Sequence, residues 1–130
     1  MYNIMTISKL LITFIIFIVL DISFLNLTGK IFSDQVVDVQ RVIMTMNYSA
    51  AILVYAVLLF ALYWFILSRR SENTVLDAAI LGGVINGCFE LTNMVLFKKW
   101  RIETVLLDTI WGAFLWGFVA AIYVNYIRPY

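Results

Sequence analysis

Residues 89–112 read FELTNMVLFKKWRIETVLLDTIWG, two apolar halves joined by a basic turn at residues 98–101. Glu90 and Asn93 come before the turn, and Asp108 follows it. A connection this short forces the two flanking helices to lie side by side and antiparallel. The stretch therefore predicts a helical hairpin with polar side chains on both of its arms.

The composition of the chain indicates a membrane protein. Hydrophobic residues make up 64% of its 130 residues, and the mean hydropathy is +0.98. Soluble domains contain roughly 45–50% apolar residues, and here the excess is collected in long runs. We therefore predict a single integral membrane domain over residues 1–130, with the lipid bilayer as its main partner.

Four apolar segments are each close to the ~20 residues that a helix needs to cross ~30 Å of hydrocarbon. The first is also longer than the hydrophobic part of a signal peptide and is predicted to be retained. The predicted fold is all-α, an up-down bundle of four membrane-spanning helices. The segments cover residues 6–27, 47–67, 74–97 and 103–127.

The connection between the first two segments, residues 28–46, has a pattern of its own. Phe32, Val36, Val39 and Ile43 recur at the spacing of one helical face. Acidic and basic residues lie elsewhere around the same helix. This pattern predicts a short interfacial helix between helices 1 and 2, lying on the membrane surface.

An even number of spans places both termini on the same side of the membrane. The segments predicted on that side contain four basic residues and those on the opposite side contain five, so the positive-inside rule does not determine the orientation. The compact pair Arg69 and Arg70 in a short loop favours cytoplasmic termini. The predicted location is a multi-pass membrane protein with both ends on one face.

Three acidic residues are predicted to share one layer of the membrane. At a rise of 1.5 Å per residue, Asp21, Glu90 and Asp108 each lie roughly 7–10 Å below the same boundary. An ionised side chain costs roughly 2.5–3.5 kcal/mol at the centre of a membrane helix, which favours turning all three inward. The predicted ligand- or ion-binding residues are Asp21, Asn47, Glu90, Asn93, Thr104, Asp108 and Trp111.

Several functional classes are excluded or disfavoured by residue types. The chain has no histidine and one cysteine, Cys88, so it offers no thiolate cluster for zinc. Its net charge of +1 provides no basic surface for nucleic acid. No cofactor is predicted, and the sequence leaves the identity of a metal undecided.

Small residues recur every four positions in the last two helices. Gly83 and Gly87 do so in the third, and Ala113, Gly117 and Ala121 in the fourth. Such patterns let membrane helices approach closely. They predict tight packing within the chain, with a homo-oligomer contact as the alternative.

The second half of the chain resembles a known family. The run Glu90-Leu91-Thr92-Asn93 is followed by Lys98, Trp100, Thr104, Asp108, Trp111 and Gly112. This series is similar to the signature of the domain-of-unknown-function family 2177, small four-helix membrane proteins of bacteria. The resemblance extends from Asp21 to Gly117 and implies the four-helix fold but no activity.

The chain departs from the family pattern at several positions. The family usually has Asp where this chain has Glu90, Tyr at Phe89, Trp at Phe24 and Pro at Arg101. The change at Glu90 keeps the charge and moves it outward by about one methylene. The site geometry of this chain is therefore expected to differ from that of its relatives.

Three functions stay open on the sequence alone. The leading hypothesis is a small transport or channel-like protein that binds or conducts a cation or proton in an acid-lined cavity. The second is a structural or accessory subunit whose polar layer sets helix packing. The third is a membrane-embedded metal-dependent enzyme, in which carboxylates act as acid and base or hold a divalent ion. No nucleophile–base pair is recognisable, which disfavours the enzyme.

Overall fold

The computed structural model describes residues 4–40, 47–69 and 71–128 and builds them from four long helices. Each helix is long and apolar enough to cross a membrane by length and composition, so the predicted all-α four-span bundle is confirmed. The second and fourth helices each end in a π-helical turn, Tyr63–Leu67 and Tyr123–Ile127. The helices are α1 (Ile4–Gln40), α2 (Tyr48–Leu62), α3 (Thr74–Leu96) and α4 (Ile102–Ile122).

The first helix is longer than predicted. It has 37 residues and therefore a length of roughly 55 Å, well beyond the ~30 Å of hydrocarbon. The predicted interfacial helix is thus wrong as a separate element, because its described residues continue α1; residues 41–43 lie outside the described ranges. A single residue, Gly29, weakens a helix by only about 1 kcal/mol, too little to end it here.

Helices α3 and α4 form the hairpin predicted from residues 89–112, and they pack very closely. A Cβ atom on Gly112 would meet the backbone oxygen of Gly82 at 2.5 Å and the Asn86 amide nitrogen at 2.6 Å. A Cβ atom on Gly117 would lie 3.2 Å from the Cβ atom of Ala79, which is also a tight contact. These contacts confirm the prediction that small residues bring the two helices together within the chain.

The other small-residue positions border an apolar groove. Gly83, Gly87 and Ala113 line a groove of about 830 Å³ on the outer side of the α3–α4 pair. A Cβ on Gly83 would meet Ala113 at 3.5 Å, an ordinary van der Waals distance. Helices α3 and α4 are therefore closer to each other at Gly82 than at Gly83. The groove does not include any of the acidic side chains of the predicted site.

The apolar core lies in the half of the bundle that contains the start of α1 and the end of α4. Trp116 of α4 is 1% exposed and packs edge-to-face on Phe17 of α1, with ring centroids 5.6 Å apart. Leu62 of α2 and Ala78 of α3 belong to the same cluster. The opposite half, near residues 98–101, contains most of the buried polar groups, and it is there that the predicted site lies.

Candidate functional site

The carboxylate of Asp21 joins three helices. Its Oδ2 accepts a hydrogen bond of 2.7 Å from the hydroxyl of Tyr55 on α2, and its Oδ1 accepts one of 2.9 Å from Nε1 of Trp111 on α4. The Trp111 ring is held in place by Phe24, which stacks on it with centroids 4.5 Å apart and planes 2° from parallel. Both oxygens of this acid are thus engaged by protein donors.

Glu90 is different, because only one of its oxygens is engaged. It is 1% exposed, and its Oε1 accepts a hydrogen bond of 2.8 Å from Nε1 of Trp100 in the turn. Its Oε2 is buried and accepts no hydrogen bond within the described part of the chain. A buried acceptor without a donor costs about 1–3 kcal/mol, a cost that a proton or a bound group at this oxygen would remove.

Asp108 stands opposite Glu90. The carboxyl groups of Asp108 and Glu90 are close enough to interact, and Asp21 acts on Asp108 electrostatically. Asn86 donates from Nδ2 to the backbone oxygen of Asp108 at 3.0 Å and more weakly to its Oδ1 at 3.4 Å. Ionised carboxylates have only acceptors, so two that face each other need a shared proton or a cation.

Gln35 lies at the end of the site nearest the turn, and it was not among the predicted site residues. It is fully buried, and its Oε1 accepts from the backbone nitrogen of Arg101 at 2.6 Å and from Oγ1 of Thr104 at 3.1 Å. Its Nε2 is buried and makes no hydrogen bond with any described residue. The sequence feature that could have indicated its burial is its position, a glutamine within the apolar helical face of Phe32, Val36 and Val39.

An ion pair on the outside supports the same contact between α1 and the turn. Nη2 of Arg101 lies 3.2 Å from Oδ2 of Asp38, and both side chains are about half exposed. Exposed pairs of this kind contribute about 0–1 kcal/mol. The buried bonds of Gln35 therefore hold the extension of α1 against the turn more firmly than this ion pair does.

The structure joins five of the seven predicted site residues through contacts at this end of the bundle. Asp21 and Trp111 bond to each other, Glu90 faces Asp108, and Thr104 bonds to Gln35. Tyr55 joins them through its hydrogen bond to Asp21, although it was not among the predicted site residues. The binding role of all these residues stays a prediction.

Asn47 and Asn93 have other positions. Asn47 is exposed, and its Oδ1 caps α2 by accepting from the backbone nitrogen of Ala50 at 3.1 Å, as asparagine commonly does before a first helical turn. Asn93 is half-buried, and its backbone oxygen accepts from Phe97 at the end of α3. The Asn93 side chain makes no hydrogen bond within the described ranges.

The acidic groups do not form a metal-binding constellation. Within residues 4–40, 47–69 and 71–128, no three side chains of Asp, Glu or Cys converge as ligands of a metal would. Divalent calcium takes six to eight oxygen ligands, and Asp21 already spends both oxygens on Tyr55 and Trp111. The arrangement gives no support to a metal-dependent enzyme.

Four membrane-crossing helices with a partly buried acidic cluster near one end define a class, small polytopic membrane proteins with an intramembrane polar site. Within this class, the family described as "Predicted membrane protein (DUF2177)" matches residues 6–125, and the chain belongs to it. The family resemblance read from the sequence is thereby confirmed. Comparison with curated proteins and with solved structures gave no match.

Proposed function

We propose that this protein reversibly binds a proton, or a small monovalent cation in its place, between Glu90 and Asp108. The observation that carries the proposal is the buried Oε2 of Glu90, which accepts no hydrogen bond from the described residues. It belongs to a carboxyl group that interacts with the carboxyl group of Asp108. One positive charge between the two acids would satisfy this oxygen and remove the repulsion between them.

A single charge fits this position better than a divalent ion. The neighbouring donors, Trp100 to Glu90 and Asn86 to Asp108, already stabilise part of the negative charge. Few free oxygens are left, and hard divalent cations need many. A shared proton needs only the two facing oxygens.

Infrared spectroscopy of the purified protein in a lipid bilayer tests the proposal. The carbonyl stretch of a protonated carboxyl group should be present near neutral pH and should disappear in Glu90→Gln and in Asp108→Asn. Glu103→Gln, at an exposed acid in the first turn of α4, is the matched control and should leave the band unchanged. A cation in place of the proton should instead raise the melting temperature with its concentration, by mass action.

The result that contradicts the proposal is equally concrete. The wild type would show no protonated carboxyl band across the pH range about 5–8. Its melting temperature would also be indifferent to sodium and potassium. Glu90 and Asp108 would then have no role in binding a proton or either cation.

Transport is the extension of this proposal. Flux of protons or monovalent cations into liposomes should be present in the wild type and lost in Asp108→Asn. The far half of the bundle offers few polar groups, and the hydroxyl of the buried Thr13 is used by its own helix, on the backbone oxygen of Lys9 at 2.8 Å. A complete pathway would therefore need a second copy of the chain, a homo-oligomer, or a change in helix packing.

A structural or accessory role is the second candidate, and Asp21 favours it. Both of its oxygens are occupied by donors from other helices, which is the arrangement of a packing residue. In that case Asp108→Asn would fold normally and would match the wild type in flux and in cation response.

We also propose an orientation of the chain in the membrane. The termini are proposed to share one side and to face the cytoplasm, as the pair at residues 69–70 favours. Reporter fusions at the two ends should both give the cytoplasmic signal. Opposite signals would rule out four spans, and two external signals would reverse the orientation.

A further inference from the structure

Two buried polar atoms near the turn at residues 98–101 make no hydrogen bond within the described residues. One is a donor, Nε2 of Gln35, and the other is an acceptor, Oε2 of Glu90. Their side chains are among the most buried in the protein, with Gln35 0% and Glu90 1% exposed. A donor and an acceptor of this kind call for a molecule that can accept from one and donate to the other.

The direction of the Gln35 amide follows from its neighbours. Its oxygen accepts from two donors, the backbone nitrogen of Arg101 and the hydroxyl of Thr104. Turning the amide around would place its NH₂ group against the N–H of Arg101, donor against donor. The unbonded atom is therefore the nitrogen, and it points away from Arg101.

Gln35 and Glu90 are bonded to neighbouring residues, which places them in the same part of the bundle. Gln35 bonds to Arg101, and Glu90 bonds to the preceding residue, Trp100. Along α4, Gln35 contacts Thr104 and Glu90 faces Asp108, and residues four apart on a helix have Cβ atoms about 5–6 Å apart. The contacts of Gln35 and Glu90 on α4 are therefore one helical turn apart, and one water molecule with two hydrogen bonds joins atoms roughly 4.5–5 Å apart.

We infer that Gln35 and Glu90 form a buried site for one water molecule, through which protons reach the Glu90–Asp108 pair from the aqueous side. The water accepts from Nε2 of Gln35 and donates to Oε2 of Glu90. When a proton from bulk water protonates it, it passes one of its own O–H protons to Glu90 and returns to neutral water. This role in delivery rests on the proposed function, whereas the water site itself does not.

The rate of hydrogen–deuterium exchange at the protonated carboxyl group tests the delivery role. After transfer to heavy water, the downshift of its carbonyl band should be slower in Gln35→Met than in the wild type by about ten-fold or more, the factor expected for one lost hydrogen bond. Gln35→Glu keeps the length and can pass a proton, so its exchange should be at least as fast as in the wild type.

A control separates the water site from a loosened turn. Asp38→Asn removes the outer ion pair to Arg101 and leaves Gln35 untouched, so its exchange rate should equal that of the wild type. If Gln35→Met exchanges as fast as the wild type or faster, the side chain only seals the site and the inference is wrong.

Oxygen-18 water tests the site without reference to proton binding. The wild type should show an infrared band of an internal water that shifts with the isotope, and Gln35→Glu should change its frequency. Absence of such a band in the wild type would overturn the inference whether or not a carboxyl group is protonated. A water band without any protonated carboxyl group would overturn the proposed function and the delivery role but leave the water site in place.

Discussion

Nε1 of Trp111 lies 2.9 Å from Oδ1 of Asp21, a hydrogen bond between residues 90 positions apart in the chain. It ties α4 to α1 at the membrane depth where the other two acids also lie. With the hydroxyl of Tyr55 on the second oxygen, one carboxylate holds three helices. Asp21 thus differs from Glu90, whose second oxygen accepts no hydrogen bond from the described residues.

The bond between Tyr55 and Asp21 gives the first prediction. Tyr55→Phe should lower the free energy of unfolding by about 1.5–3 kcal/mol, the usual contribution of a hydrogen bond to a charged group. Unfolding in mixed detergent micelles measures it. Tyr48→Phe is the matched control, because Tyr48 is 72% exposed at the start of the same helix. Equal effects of the two substitutions would show that the bond contributes nothing specific.

The unbonded oxygen of Glu90 gives the second prediction, a gain in stability with a loss of function. In Asp108→Asn the new amide can donate to Oε2 of Glu90. The substitution also leaves one carboxylate where there were two, which removes the repulsion between them. At alkaline pH, where no proton is shared, we expect the free energy of unfolding of the variant to exceed that of the wild type by about 1–3 kcal/mol, the cost of a buried unsatisfied group. Asp77→Asn, at an exposed acid in the first turn of α3, should not stabilise the protein.

A loss of stability in Asp108→Asn would argue against this view of the site. It would mean that Asp108 makes a stabilising bond as a carboxylate that an amide cannot replace. The same unfolding assay, run on both variants and on the wild type, decides between the two outcomes.

The close approach of α3 and α4 gives the third prediction. Gly112→Ala places a methyl group against the backbone oxygen of Gly82, so it should destabilise the protein by about 1–3 kcal/mol, as overpacking commonly does. Gly83→Ala is the control, because its methyl group would meet Ala113 at an ordinary 3.5 Å. Comparable melting temperatures for the two variants would contradict this close spacing of the helices at Gly112.

The extension of α1 gives the fourth prediction. In a Cys88→Ala background, cysteines introduced as Gln35→Cys and Thr104→Cys should be joined by a short bifunctional reagent within one chain, because these side chains bond at 3.1 Å. Val37→Cys with Thr104→Cys should not, because Val37 is 37% exposed and lies on another side of the helix. A helix lying apart on the membrane surface would give the opposite pattern or no crosslink.

Much of the site was accessible from sequence because depth in a membrane follows from counting residues. Glu90 and Asp108 stand at similar distances from the turn between their helices, so a fixed rise per residue brings them to one level. Their helical spacing also put each on a stripe with other polar residues. The facing pair is the part of the site that local periodicity could predict.

Other contacts could not be predicted because they depend on how each helix is rotated and which helix lies beside it. Tyr55 is one of many residues on a uniformly apolar α2, and nothing in its own segment singles it out as the partner of Asp21. Asn47 looked like a member of the polar layer, yet its position just before a helix makes it a cap. Gln35 was assigned to a surface helix and is instead buried.

From the sequence alone it followed that the protein crosses the membrane four times and that all its spans are helical, and acids on three of the spans were predicted to lie at one depth. These follow from hydropathy, length and the helical rise, which are properties of each segment alone. Only the tertiary structure decided that α1 continues through residue 40, that Asp21 is satisfied and that Glu90 is not. Side-chain pairing depends on helix rotation and contact, and these are set by close packing between segments distant in the chain.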